Sequence, residues 1–144
     1  MSYVRIWLHC VWGTKSKSQT LSKSVREEVI NHIRSNAVEK GVYIDSLNGS
    51  TDHLHCLLSL DASHTLKWVM QNLKGESSYW VNKHRITRLK FGWAVDYYAV
   101  SISSSDVARV RGYIRDQEYH HGIVTRDEEL AALESEEGLL RYSG

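Results

Sequence analysis

Apolar and polar positions fall into blocks along this chain, each with its own period. Residues 3–12, Tyr-Val-Arg-Ile-Trp-Leu-His-Cys-Val-Trp, are aromatic and β-branched and predict a first strand. Val25, Val29, Ile30, Ile33 and Val38 recur at helical spacing behind Ser22 as N-cap, and Gly41 stands where a helix C-terminal glycine belongs. Residues 42–48 read as a second strand and 49–52 as a turn. In the next stretch Leu54, Cys56, Leu58 and Leu60 alternate with His53, His55, Leu57 and Ser59, the period-two signature of a strand. Strands two and three would then form a hairpin.

Leu66, Val69, Met70, Leu73, Ser77 and Trp80 supply the apolar side of a helix over 64–83, with Ser63 as candidate N-cap. Gly75 interrupts it at a cost of about 1 kcal/mol relative to alanine, so a kink or a close approach by another group is expected there. A fourth strand is expected over 96–102. Residues 103–106 then offer N-caps for a helix through Val107, Val110, Tyr113, Ile114 and Gln117, ended by His120, His121 and Gly122. Residues 127–134 suggest a short acidic helix. The order β, α, β, β, α, β, α predicts an α+β fold: a ferredoxin-like βαββαβ sandwich with an antiparallel sheet, plus an added helix carrying Tyr113.

Composition narrows the class. With 144 residues, 42% hydrophobic and 24% charged, the chain fits one globular domain, 1–144, with residues 127–144 as an acidic tail within it. No apolar run approaches a membrane span and no basic-then-apolar leader is present, so a cytoplasmic protein without a membrane partner is expected. Cys10 and Cys56 lie in strand-like stretches without CxxC spacing and read as reduced core thiols. The formal charge of +1 divides into −5 over residues 127–144 and +6 over 1–126. A basic body fits a polyanion partner, while the tail reads equally well as a solvated helix face.

Lys67, Lys74, Arg85 and Arg88 belong to the densest basic stretch, interleaved with Trp68, Tyr79 and Trp80. Such a stretch can hold phosphates and stack on unpaired bases, or it can be a core stripe beside a solvated face. Lys15 and Lys17 occupy the loop after the first strand, a place suited to a backbone-phosphate contact or to plain solvation.

The candidate chemistry lies in two stretches. His53 and His55 point to one face of their strand, about 6–7 Å apart, a spacing at which two imidazoles can grip one ion. Tyr113 and Gln117, four apart on a helix, also share a face, offering a hydroxyl nucleophile beside an amide oxygen. With eight histidines in the chain, chance alone supplies about 0.4 His-x-His triplets, so neither stretch decides by itself. A wet sheet face and an ordinary helix face remain the plain alternatives.

Taken together these features resemble the IS200/IS605-type Y1 (HUH) transposases. The resemblance rests on Val11-Trp12-Gly13-Thr14-Lys15, Asp52-His53-Leu54-His55, Leu73-Lys74-Gly75 with Ser77 and Ser78, and Tyr113-Ile114-Arg115-Asp116-Gln117 followed by His120-His121. It implies an enzyme that cleaves and rejoins single-stranded DNA at hairpin-bearing element ends through a 5′-phosphotyrosine on Tyr113. It implies a divalent metal, Mg2+ or Mn2+, on His53, His55 and the Gln117 amide oxygen, with His120 as an extra ligand or DNA contact and Asp52 behind a histidine. It implies DNA contacts from Lys15, Lys17, Lys67, Lys74, Arg85 and Arg88, and a homodimer in which one chain's tyrosine helix can complete the other's metal site. A domesticated relative acting on repeated chromosomal hairpins, a non-catalytic nucleic-acid-binding module and a metal-dependent hydrolase remain the competing expectations.

Overall fold

A computed structural model of the chain describes residues 2–117 together with 128, 129 and 131. Strands β1 (Ile6–Gly13), β2 (Tyr43–Gly49), β3 (His53–Leu60) and β4 (Tyr98–Ile102) form an antiparallel sheet in the order β2-β3-β1-β4. Helix α1 (Lys23–Lys40) joins β1 to β2. Helix α2 (Leu66–Gln71) passes through a π-helical turn (Asn72–Glu76) into α3 (Ser77–Lys83), and α4 (Val107–Arg115) follows β4. This is the expected ferredoxin-like order with its added tyrosine helix.

Alternation along β1 and β3 gives the sheet two faces. Leu8, Cys10 and Trp12 with Leu54, Cys56 and Leu58 point to one side, where they pack with Val29, Ile33 and Ala37 of α1 and with Val69, Met70, Leu73 and Val81 of α2 and α3. Val11, Leu57 and Ile102 point to the other, under Val107, Val110 and Ile114 of α4. Each fully buried aliphatic side chain contributes about 1.5–3 kcal/mol of transfer free energy. Together these layers bury β1 and β3 on both faces, which is why His9, His53 and His55 are wholly inaccessible to solvent.

Several local expectations change. The apolar face of α1 runs Val29, Ile33, Ala37 while Val38 is 79% exposed, because a 3.6-residue period carries the stripe from Ile33 to Ala37. Ser63 is not the cap of α2. Its backbone and hydroxyl turn onto Asp61 Oδ1, and Thr65 caps instead, accepting from Trp68 N. At Gly75, inside the π-helical turn, a Cβ would meet no protein atom outside its own helix within 4 Å, and the irregularity expected there is this turn. The π-helical turn is secured by Ser77 Oγ, which donates to Leu73 O at 2.6 Å and accepts from Trp93 Nε1 at 2.9 Å. Strand β4 starts at Tyr98, two residues later than expected.

The hairpin and a bulge set the geometry beneath α4. A side chain at Gly49 would run into the carbonyl of His53 at 2.1 Å, so only glycine fits where Ser50 N bonds that carbonyl. Strand β2 carries one extra residue between Ile44 and Ser46 relative to β3. The bulge lets Ile44 and Leu47, three apart, both reach the same core. Asp45, at the bulge, receives Arg111 of α4 in a two-pronged pair, Nε to Oδ1 and Nη2 to Oδ2, both 2.8 Å. Asn48 Nδ2 donates to Arg115 O at 3.0 Å, so β2 fixes α4 at a second point near its C-terminal end.

Candidate active site

The α4 side of the sheet gathers the polar residues that the core cannot hold. His53 and His55 share that face of β3, and both aim Nε2 at one atom, Glu129 Oε1, at 3.0 and 2.8 Å. The other carboxylate oxygen, Oε2, accepts from the Tyr113 hydroxyl and from Gln117 Nε2, the latter at 3.3 Å. Gln117 lies just beyond α4, wholly buried, its amide also 3.4 Å from Tyr113 O. Tyr113 is partly buried, its ring edge-on to His55 with centroids 5.6 Å apart. All of these residues belong to the same chain.

A second ring of groups holds the histidines. His53 Nδ1 meets Asp52 Oδ1 at 2.7 Å and Ser50 Oγ at 3.2 Å, while Gln19 Nε2 donates to Asp52 Oδ2 at 3.4 Å. His55 Nδ1 meets Nε2 of His9, from β1, at 2.9 Å. Burial by itself would lower the His53 pKa, but the hydrogen bonds and charges of Asp52 and Glu129 outweigh it and leave the group raised. Burial, then the adjacent His55, holds His9 well below the usual imidazole range, so His9 is neutral at physiological pH. Burial and the Glu129 charge push the Tyr113 phenol up, so it too stays protonated there.

Among the described residues, His53, His55 and Glu129 form a group able to hold a metal, one donor atom from each lying within 4.8 Å of the others. Imidazole pairs suit several divalent transition metals; a carboxylate and an amide widen the set toward Mg2+ and Mn2+. The amide of Gln117 presents its nitrogen to this cluster, where the sequence suggested its oxygen. Asp52 lies against His53 Nδ1. His120 lies outside the described residues. Two residues of the cluster are not singled out by the sequence: His9, which reads as one more member of an aromatic strand, and Glu129, which falls in the short acidic helix expected over 127–134.

The basic candidates do not join this cluster. Lys67 and Lys74 line a cavity of about 530 Å³ with Met70, Gly75, Val95 and Tyr97. Burial lowers the Lys74 pKa, and Nζ donates to Val95 O at 2.8 Å. Arg85 and Arg88 line a second cavity of about 420 Å³ with Lys90. Lys15 and Lys17 are exposed in the short 3₁₀ turn after β1, Lys15 N bonding Gly92 O at 2.9 Å. Basic groups thus collect on the α2–α3 side of the sheet and around the loops that flank it.

The sequence profile of the family "Transposase IS200 like" matches residues 2–117. The chain belongs to the IS200-like transposases. A curated relative, ISDra2 transposase TnpA of Deinococcus radiodurans, is 25% identical over 114 residues, covering 76% of this chain and 81% of its own. A crystal structure of a transposase candidate from Deinococcus radiodurans R1 superposes with a TM-score of 0.63 at 24% identity, over 81% of this chain and 95% of that one. A REP-associated tyrosine transposase bound to a REP hairpin superposes with a TM-score of 0.61 at 17% identity, over 91% and 83%. These two structures carry the same fold. Membership makes this IS200-like chain a transposase, of a class that cleaves DNA and transfers strands. Among its described residues no helix is long and apolar enough to cross a membrane.

Proposed function

We propose that the protein cleaves and rejoins single-stranded DNA at hairpin-bearing ends, with Tyr113 as nucleophile and a divalent metal, Mg2+ or Mn2+, at His53 and His55. One observation carries this reading. Two buried imidazoles and a tyrosine hydroxyl converge on the two oxygens of a single carboxylate, Glu129. An ordinary core has no use for such a set. The donors fit a metal: both His Nε2 atoms aim at one point, while both Nδ1 atoms are held by Asp52 and His9. Glu129, and the Gln117 amide turned to offer its oxygen, complete the set. A bound ion supplies Lewis-acid polarisation of the scissile phosphate and stabilises charge on its oxygens.

The residues divide the work of transfer. Tyr113 Oη attacks phosphorus, forming the Oη–P bond as the P–O3′ bond breaks, and the 5′-phosphotyrosine keeps the bond energy for rejoining. The hydroxyl proton passes to Glu129, already its hydrogen-bond acceptor, and from there, relayed by water, to the leaving 3′-oxygen. A raised phenol pKa makes that acceptor necessary. Lys15, Lys17, Lys67, Lys74, Arg85 and Arg88 would contact the DNA backbone, each worth more at low salt. The hairpin carried by the REP-bound neighbour supports hairpins as the probe. Residues 1–144 would act as one domain and pair as a homodimer.

The test is a denaturing gel with labelled single-stranded hairpins plus flanking DNA and Mn2+. Wild type should give a protein-sized adduct; Tyr113→Phe should lose at least about a thousandfold in adduct formation while binding hairpin nearly unchanged. Equal loss of cleavage and binding would make Tyr113 a folding residue and sink the proposal.

A further inference from the structure

The imidazole behind His55 moves no proton and touches no phosphate in the transfer proposed above. We infer that His9 is a positioning residue for His55, fixing the tautomer and ring plane that let Nε2 serve as a ligand; this rests on the metal reading of His53 and His55. His9 lies on β1, and because Val11 pairs with His55, the His9 side chain falls on the same sheet face one step along. Its Nε2 is 2.9 Å from His55 Nδ1, with the rings 5.1 Å apart and 29° from parallel. A neutral His55 whose Nε2 lone pair faces a cation must carry its proton on Nδ1. That proton points at His9 Nε2, which must accept it.

The two ligands are therefore held by unlike partners. His53 has a carboxylate, Asp52, at Nδ1, and His55 has a neutral ring. The difference follows from where the groups sit. Glu129 already places a negative charge between the histidines, and His55 and His9 are both 0% exposed. A second carboxylate there would add buried charge at a large desolvation cost, whereas an imidazole acceptor orients the ring without adding any. Packing alone would be served equally by a phenylalanine in the His9 position.

The test measures Mn2+ binding by electron paramagnetic resonance on the full chain, alongside a thermal melt. A glutamine amide reaches about as far as imidazole Nε2, while asparagine ends near Nδ1. We expect His9→Phe to weaken Mn2+ binding about 10–100-fold and His9→Gln to stay within about threefold of wild type. His9→Gln should keep a near-wild-type melt, while His9→Phe, which leaves His55 Nδ1 unpaired, should stay folded but melt lower. Should His9→Phe not fold, His9→Asn removes the same acceptor and should weaken binding likewise. Wild-type affinity in the folded phenylalanine or asparagine variant, or equal weakening in glutamine and phenylalanine, would overturn the inference. A wild-type protein whose Mn2+ binding is indifferent to His53→Ala would instead overturn the metal reading, and with it this one.

Discussion

The two faces of the β1–β3 pair are made from the same two strands, yet they follow different rules. One presents Leu8, Cys10, Trp12, Leu54, Cys56 and Leu58 to α1, α2 and α3 and is held by apolar burial. There even the thiols are inert: burial pushes Cys10 up to about 12 and raises Cys56 as well. The opposite face presents His9, His53 and His55 beneath α4 with no more access to water. A strand buried on both sides ordinarily reads as continuous aliphatic residues, because each buried polar group needs a partner. This face satisfies its histidines with Asp52, Ser50 and Glu129, and with one another. One face fixes the fold, and the other uses that rigidity to aim side chains.

Substitutions should separate the two. On the apolar face, Leu58→Ala should destabilise by about 2–5 kcal/mol in denaturant titrations, with adduct yield per folded molecule unchanged. A selective loss of cleavage would mean that the faces are not independent. Next in size, Mn2+ at about a hundredfold over its Kd should add about 2.7 kcal/mol of stability to wild type and none to His53→Ala. Chelation should reverse the gain. Equal stabilisation of both proteins would place the metal elsewhere.

The smallest effect concerns the strut that docks α4. The Arg111 guanidinium beside Asp45, chiefly through its hydrogen bonds, holds that carboxyl below its ordinary range. A depressed carboxyl pKa contributes stability above its unfolded value, near 3.9, which is lost as pH falls through the folded value. Asp45→Asn should therefore cost about 0.5–1 kcal/mol near neutrality, since Arg111 is half exposed, and progressively less below about pH 4. A cost that persists at pH 3 would point to packing at the bulge, not charge.

Much of this was legible in the chain because it obeys short-range periodicity. His53 and His55 announce themselves by alternating with apolar neighbours, and Tyr113 and Gln117 by a four-residue step. The β2 bulge also left a trace: Ile44 and Leu47 are three apart and cannot share a face of a regular strand. What escaped depends on distant packing. His9 meets its partner only through the β1–β3 register across 46 residues of sequence, and Glu129 reaches His53 across 76. Within their own neighbourhoods one resembles core and the other a solvated acidic run. Thr65 outcompetes Ser63 as a cap because Ser63 is committed to Asp61, a choice that composition cannot rank.

The proposed function stands or falls on a covalent bond between Tyr113 and DNA. The most direct measurement is mass spectrometry of the peptide that remains attached to DNA after cleavage with Mn2+, nuclease digestion and proteolysis. A nucleotide joined through its 5′-phosphate to the peptide holding Tyr113 is the expected product. Cleaved DNA with a free 5′-phosphate and no modified peptide, or a nucleotide on any other residue, would contradict it.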